Sequence, residues 1–351
     1  MLIKRETRMN ICHVNLATGF SGGERQTLVL IKEQIKLGYT LTVVANPKSP
    51  FFVEVEKLNC RVFPSKHFLL GHRSIITKDC TLMHVHEGRA IYWAYIQKQL
   101  FKKPYIITRR IDNPLKKKDL SLRAYEAASA ITGVSNKVVE VVKQRHPKAH
   151  AIFIPDSPAR YTSNPIEVKK IREQFEGKFL VIKAAKMYKH KGFDIAIEAA
   201  KLLNEINDDI QLALLGDGPE FETLKAQAAG ASNVYFMGDQ KEIGNWFEAA
   251  DLLIHTSHTE GMGSVILEAM AAGLPVIGSK AGGIPDVITH DESGLLFEIA
   301  NAKQLSAHIK SIYHSKELRD KLVNGAAKHL NKFEVEATAQ TYQSLYQQFE
   351  K

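Results

Sequence analysis

Thr256 to Pro275 reads TSHTEGMGSVILEAMAAGLP, directly after the short apolar run Leu252–Thr256. That run reads as a strand. Gly261 and Gly263 predict a bend that lets backbone approach a ligand closely. A helix is expected from about Ser264 to Gly273, with Pro275 just beyond it. Strand, glycine loop and helix in that order set free N–H groups and the positive end of a helix dipole at a strand's carboxyl end, which makes an anion site. Glu260 lies in the loop and Glu268 two turns into the helix, with seven residues between them. Each carboxylate accepts several hydrogen bonds and suits sugar and ribose hydroxyls. Phosphate binding flanked by hydroxyl binding is what a nucleotide sugar requires.

Outward from this segment the same alternation recurs. Strands are expected at Asn10–Leu16, Thr40–Ala45, Thr81–Val85, Tyr105–Thr108 and Ala130–Gly133. Helical periodicity covers Glu24–Leu37 and Ala90–Leu100. Two prolines in Ile-Pro-Asp-Ser-Pro interrupt the pattern at 152–158 and predict a linker. It then restarts: strands at Phe179–Ala184, Gln211–Leu215, Val234–Met237 and Pro275–Gly278, and a helix at Gly192–Asn204. Pro219 suits the first position of a further helix running through Leu224. Alternation of this kind means a parallel sheet covered by helices, and the restart means two. The expected units are 1–157 and 158–332. A final helix, Phe333–Phe349 within 333–351, carries an apolar stripe that packs back toward the N-terminal domain. Ligands in such folds sit at the carboxyl ends of the strands.

The chain has 351 residues, 44% of them hydrophobic and 24% charged, which excludes wholesale disorder. No apolar run approaches the roughly 18–20 residues of a spanning helix. Cys12, Cys60 and Cys80 fit neither a disulfide framework nor a zinc spacing and read as reduced thiols. The net charge of +9 is uneven. Residues 1–157 hold 26 Lys+Arg against 12 Asp+Glu, a balance of +14, whereas 158–351 hold 21 against 26, a balance of −5. The first half is therefore expected to meet something anionic. Its densest basic stretch, Lys98 to Arg123, includes Arg109, Arg110, Lys116, Lys117 and Lys118. A phosphate-rich lipid surface is one candidate. Nucleic acid is not favoured, because no zinc finger, RNP sequence or helix-turn-helix is present.

The Thr256–Pro275 segment resembles the signature of retaining glycosyltransferases of family four, which have the GT-B fold: two Rossmann-like parallel-sheet domains facing a central cleft. The resemblance implies that Glu260 contacts the donor sugar and Glu268 the ribose hydroxyls, with Gly263, Ser264 and Val265 against phosphates or sugar. Gly22-Gly23-Glu24-Arg25 is similar to the family's glycine-rich first loop, which implies that Gly22 and Gly23 lie close to the donor phosphates and the acceptor. His86, in His84-Val85-His86-Glu87, matches the active-site histidine on the acceptor side. Lys186-Met-Tyr-Lys-His-Lys191-Gly192 resembles the basic diphosphate clamp. Lys191 matches the usual lysine, while Lys186 stands where the family has arginine, a point charge in place of a bidentate fork. Lys183 or Lys189 can share that load. Gly216-Asp217-Gly218-Pro219-Glu220 and Gly282-Gly283-Ile284-Pro285-Asp286 also match family loops, and Val234–Gly238 would lie near the base. Thr108-Arg109-Arg110-Ile-Asp112-Asn-Pro114 is similar to bacterial members that extend lipopolysaccharide cores.

The resemblance implies a metal-independent hexosyl- or heptosyl-transferase, with His86, Glu260 and Lys191 as catalytic residues and no cofactor beyond the nucleotide-sugar substrate. Its acceptor would be a phosphorylated glycan or glycolipid. Arg109, Arg110 and Lys116–Lys118 would meet the acceptor or the anionic inner-membrane surface, for a cytoplasmic protein peripheral on the inner face. Two other readings stay open: an isomerase similar to nucleotide-sugar 2-epimerases, and a sugar-nucleotide-binding protein with a silent site.

Overall fold

The computed structural model describes residues 9–115, 119–205 and 209–350; Lys116, Lys117 and Lys118 lie outside them. The chain forms two compact units, Met1–Ser157 with Phe333–Lys351, and Pro158–Lys332.

The first unit contains β1 (Asn10–Asn15), β2 (Thr40–Ala45), β3 (Arg61–Pro64), β4 (Leu82–Val85), β5 (Tyr105–Arg109), β6 (Ala130–Gly133) and β7 (Ala151–Phe153). They form one sheet of order β3-β2-β1-β4-β5-β6-β7, and every pairing is parallel. Helices cover both faces, which is why β1 is buried on successive residues rather than alternately. The helix Val335–Gln347 packs on the helix Gly22–Lys36 and buries Ala339, Tyr342, Leu345 and Tyr346 in a core shared with Ile11, Leu28 and Ile31.

The second unit contains β8 (Phe179–Ala184), β9 (Ile210–Leu215), β10 (Val234–Gly238), β11 (Leu252–His255), β12 (Val276–Ser279) and β13 (Leu295–Phe297). Its order is β10-β9-β8-β11-β12-β13, again all parallel. Strand order reverses between β1 and β4 in the first unit and between β8 and β11 in the second. Loops that leave neighbouring strands at such a point diverge and open a crevice. Gly22 and Gly23, which open the helix Gly22–Lys36 rather than end a loop, follow β1, and His86 follows β4. Lys191 follows β8 and Glu260 follows β11.

Three local expectations are corrected. Pro219 does not open a helix: Phe221 N–H donates to Gly218 O (3.1 Å), so a turn spans Gly218–Phe221 and the helix is Phe221–Gln227. The segment expected to be linker contains β7, a three-residue edge strand whose brevity hides any periodicity. Gly192 precedes the helix Phe193–Asn204 as its left-handed cap. Among the described residues, no helix is long and apolar enough to cross a membrane.

Candidate functional site

At the carboxyl edge of the second sheet four loops pack on one another. A Cβ on Gly216 would lie 1.9 Å from Ala185 O, and one on Gly282 would lie 1.8 Å from Glu260 O. No side chain fits at either place, so backbone runs against backbone, and both glycines take positive φ. Gly283 N–H donates to Glu260 O (2.9 Å), and His258 N–H to His190 O (2.8 Å). The loops after β8, β9, β11 and β12 are thereby fixed to each other.

Within that frame Glu260 is the hub. Its Oε2 accepts from Lys191 Nζ (2.8 Å), His255 Nε2 (2.8 Å) and Ser257 Oγ (3.2 Å). The Lys191 and Glu260 side chains are only 21% and 13% exposed, so water screens this pair weakly. Burial opposes ionisation of Glu260, but the hydrogen bonds from His255 and Lys191 and the charge of Lys191 outweigh it and hold the carboxyl well below the usual range. Burial in turn pushes His255 below its ordinary value, which keeps the ring neutral with Nε2–H donating to the carboxylate. Lys183, at the end of β8, is fully buried with Nζ 4.5 Å from the centre of the Phe193 ring.

Gly263 caps the helix Ser264–Ala271 and, being glycine, brings no side chain to bond its first amides. Ser264 and Val265 are half-buried in its first turn, and Glu268 is half-buried in its second. Lys186 is exposed in the β8 loop, where its carbonyl accepts from Tyr188 N–H (2.8 Å). The structure thus brings Lys191, Glu260, Gly263, Gly216 and the Gly282 loop to one edge. His255 and Ser257 join them; only their place between a strand end and Glu260 marks them in the sequence.

In the first unit, Ser21 N–H and Oγ–H both donate to Glu24 Oε2 (2.9 and 2.7 Å), which reaches back over the start of the Gly22–Lys36 helix. Gly23 faces Arg110, whose Cδ lies 3.6 Å from where a Cβ would stand. Arg110 donates through Nε to both oxygens of Asp156 (3.1 and 2.9 Å) and through Nη1 to His86 O (3.3 Å). Gly22–Gly23, His86 and Arg110 therefore share one edge.

His86 belongs to a buried network. Its Nε2 lies 2.9 Å from His13 Nδ1, and His13 Nε2 lies 2.7 Å from Gln34 Oε1. His84 joins Tyr346 OH (2.7 Å) and Thr108 Oγ1 (2.6 Å), and Tyr342 OH bonds Thr108 and Thr132 (2.8 and 3.1 Å). Burial drives all three imidazoles down, His13 to about 4, and their mutual repulsion with Arg110 lowers His84 and His86 further. Among the described residues these histidines are also the one group of three or more ligand-type side chains with ligand atoms within 4.8 Å of one another. Both ring nitrogens of His13 and of His84 already have protein partners, so the arrangement fits a hydrogen-bond network better than a cation site.

In the basic stretch 98–123 four of the described side chains turn toward the protein, Lys102 and Arg123 are exposed, and Lys116, Lys117 and Lys118 lie outside the described residues. Lys98 Nζ donates to Ala127 O (2.6 Å) and Lys103 Nζ to Cys80 O (2.9 Å). Arg109 is buried, bonding Tyr125 OH (3.0 Å) and Asn113 O, and Arg110 is turned inward to Asp156. A run of like charge says nothing about direction, and these four side chains cap carbonyls or neutralise an acid.

The two doubly wound parallel-sheet units make an α/β fold of the GT-B kind. Residues 166–329, nearly all of the second unit, match the family model Glycosyl transferases group 1. The chain is 28% identical over 288 residues to N-acetyl-alpha-D-glucosaminyl L-malate synthase of Bacillus anthracis, covering 77% of this chain and 75% of that protein. It is 30% identical over 172 residues to the lipopolysaccharide core biosynthesis glycosyltransferase LpsD of Rhizobium meliloti, covering 48% and 49%. Among solved structures, Anabaena Alr3699/HepE in complex with UDP and glucose superposes with a TM-score of 0.80 at 21% identity, covering 97% of this chain and all of that one. WaaG, a glycosyltransferase involved in lipopolysaccharide biosynthesis, gives 0.65 at 17% identity, covering 96% and 99%.

Proposed function

We propose that the protein is a retaining glycosyltransferase that moves a hexosyl or heptosyl group from a nucleoside-diphosphate sugar to a hydroxyl of a phosphorylated glycan or glycolipid. The observation that carries this is the meeting of Lys191 and Glu260 beside the helix Ser264–Ala271. It sets a cation and a helix N-terminus where a diphosphate needs them, next to a carboxylate suited to sugar hydroxyls.

Lys191, the first-turn amides of Gly263–Val265 and, from the exposed loop, Lys186 stabilise the charge that grows on the departing diphosphate. Glu260, kept ionised by Lys191 and His255, accepts hydrogen bonds from the donor sugar. Glu268 takes the ribose hydroxyls, Gly216 approaches the donor, and Val234–Gly238 lies by the base. The glycosidic bond breaks toward an oxocarbenium-like transition state, and no enzyme nucleophile bonds to the sugar. The leaving phosphate oxygen takes the acceptor's proton on the face where the new bond forms. In the first unit, His86 orients the acceptor, and the Gly22–Gly23 turn, held by Glu24 and Arg110, shapes the loop beside it. No metal or cofactor is assigned to this chemistry. Relatives that act on lipopolysaccharide cores support a cell-envelope glycan as acceptor, made at the cytoplasmic face of the inner membrane.

Calorimetric screening of nucleotide sugars, followed by mass spectrometry of products with lipid-linked acceptors, tests the reading. Binding of one donor and a mass gain of one sugar on an acceptor are expected. Conversion of the donor to an isomer without acceptor would replace transfer with epimerisation.

A further inference from the structure

The amine of Lys183 is out of place in an ordinary core. Its side chain is fully buried near the end of β8, opposite Leu214 of β9, and among the described residues Nζ has no hydrogen-bond partner. Buried ammonium groups are normally paired, and an unpaired one is costly. Methionine would fill similar space at no such cost. What the amine does have is the face of Phe193 at 4.5 Å, a partial substitute for water around a cation.

Its electrostatic surroundings are those of the donor site. The charged and titratable groups that act on it are Lys191, Glu260 and Asp194, with His255 beside them. Glu260 is already held by Lys191. A proton on Lys183 therefore adds a second cation to one that has its counter-ion. Burial first, and then Lys191, lower Lys183 to about 7, against the pull of Glu260 and Asp194. A diphosphate brought to Lys191 shifts the balance, because added negative charge nearby favours the protonated amine.

We infer that Lys183 is a proton-coupled positioning residue of the donor site, neutral in part of the free protein and protonated when a nucleoside diphosphate binds. The inference rests on the donor-site reading above. The only bond formed is N–H at Nζ, and the proton comes from the buffer. The added cation, shielded from water, then strengthens the field that Lys191 presents to the diphosphate without touching it.

Titration calorimetry with UDP in phosphate and in Tris at pH 7 measures the protons exchanged. Wild type should take up about half a proton more per nucleotide than Lys183→Met, since a group near its midpoint is about half protonated before binding. Between pH 7 and 8.5 the wild-type affinity for UDP should fall by several-fold, and that of Lys183→Met should stay level. Equal proton uptake in the two proteins overturns the inference. Should Lys183→Met not fold, the wild type alone decides: uptake that persists at about pH 8, where the nucleotide's phosphate and ordinary histidines are essentially deprotonated, supports it, and no uptake there overturns it. Failure of UDP, GDP, ADP and dTDP alike to bind overturns the donor-site reading together with this inference. Binding without proton uptake overturns the inference alone.

Discussion

The two units bury polar clusters at equivalent places, beside the strand reversal of each sheet, yet the clusters differ in kind. The first, His13, His84 and His86 with Gln34, Thr108, Tyr342 and Tyr346, is neutral and closed on itself, with one ring nitrogen, His86 Nδ1, left without a partner. The second, Lys183, Lys191, His255 and Glu260, is charged and carries more cation than anion. A closed neutral network holds a shape, because every unmade bond in it costs free energy. An unbalanced charged cluster instead waits for a ligand of opposite sign. On the function proposed above, the first cluster supplies rigidity and the second binds the diphosphate.

The sharpest way to break this comparison is Glu260→Gln. It removes the charge that Lys191 and His255 share, and transfer should fall by about 10²–10³-fold with circular dichroism unchanged. Transfer near the wild-type rate would show that the charged cluster is not the donor site.

Acid separates the clusters next. His13 titrates at about 4 in the folded protein against 6.5 for the free side chain. The unfolded chain therefore binds more protons between those values, so this stability is full above pH 6.5 and is lost as pH falls toward 4. From His13 alone the loss approaches about 3 kcal/mol. Hydrogen-exchange protection of β1 and β4 amides should drop over that window in wild type and drop less in His13→Gln. Equal pH dependence in both proteins would contradict the neutral network.

Lys191→Met should weaken nucleoside-diphosphate binding by about 10–150-fold, the equivalent of a charge-assisted contact of about 1.5–3 kcal/mol. Unchanged affinity by calorimetry would move the diphosphate elsewhere. The smallest effect expected is that of Tyr346→Phe. Loss of its hydroxyl leaves His84 Nδ1 short of a partner and should cost about 1–3 kcal/mol in urea unfolding, with nucleotide affinity intact. A change in affinity there would mean the two clusters are not separable in role.

Much of the charged cluster was legible because its residues sit close together in sequence on loops with glycine punctuation. Glu260, Gly263 and Glu268 occupy one strand–loop–helix segment, and Lys191 follows a strand by a similar loop. The neutral cluster was not legible beyond His86. His84 meets Tyr346, 262 residues away, and no local pattern encodes such a partner. The strands came from their apolar runs, except β7 and β13, which have only three residues, and β3, whose Arg-Val-Phe-Pro has exposed ends and no apolar run. Composition records charge and not direction, so it could not tell that Arg109 and Arg110 point inward to Tyr125 and Asp156.

A crystal structure with a nucleoside-diphosphate sugar bound tests the central claim most directly. The diphosphate should lie between Lys191 Nζ and the amides of Gly263, Ser264 and Val265, with sugar hydroxyls on Glu260 and ribose hydroxyls on Glu268. A donor lodged elsewhere, or those two carboxylates turned to bulk water, would contradict it.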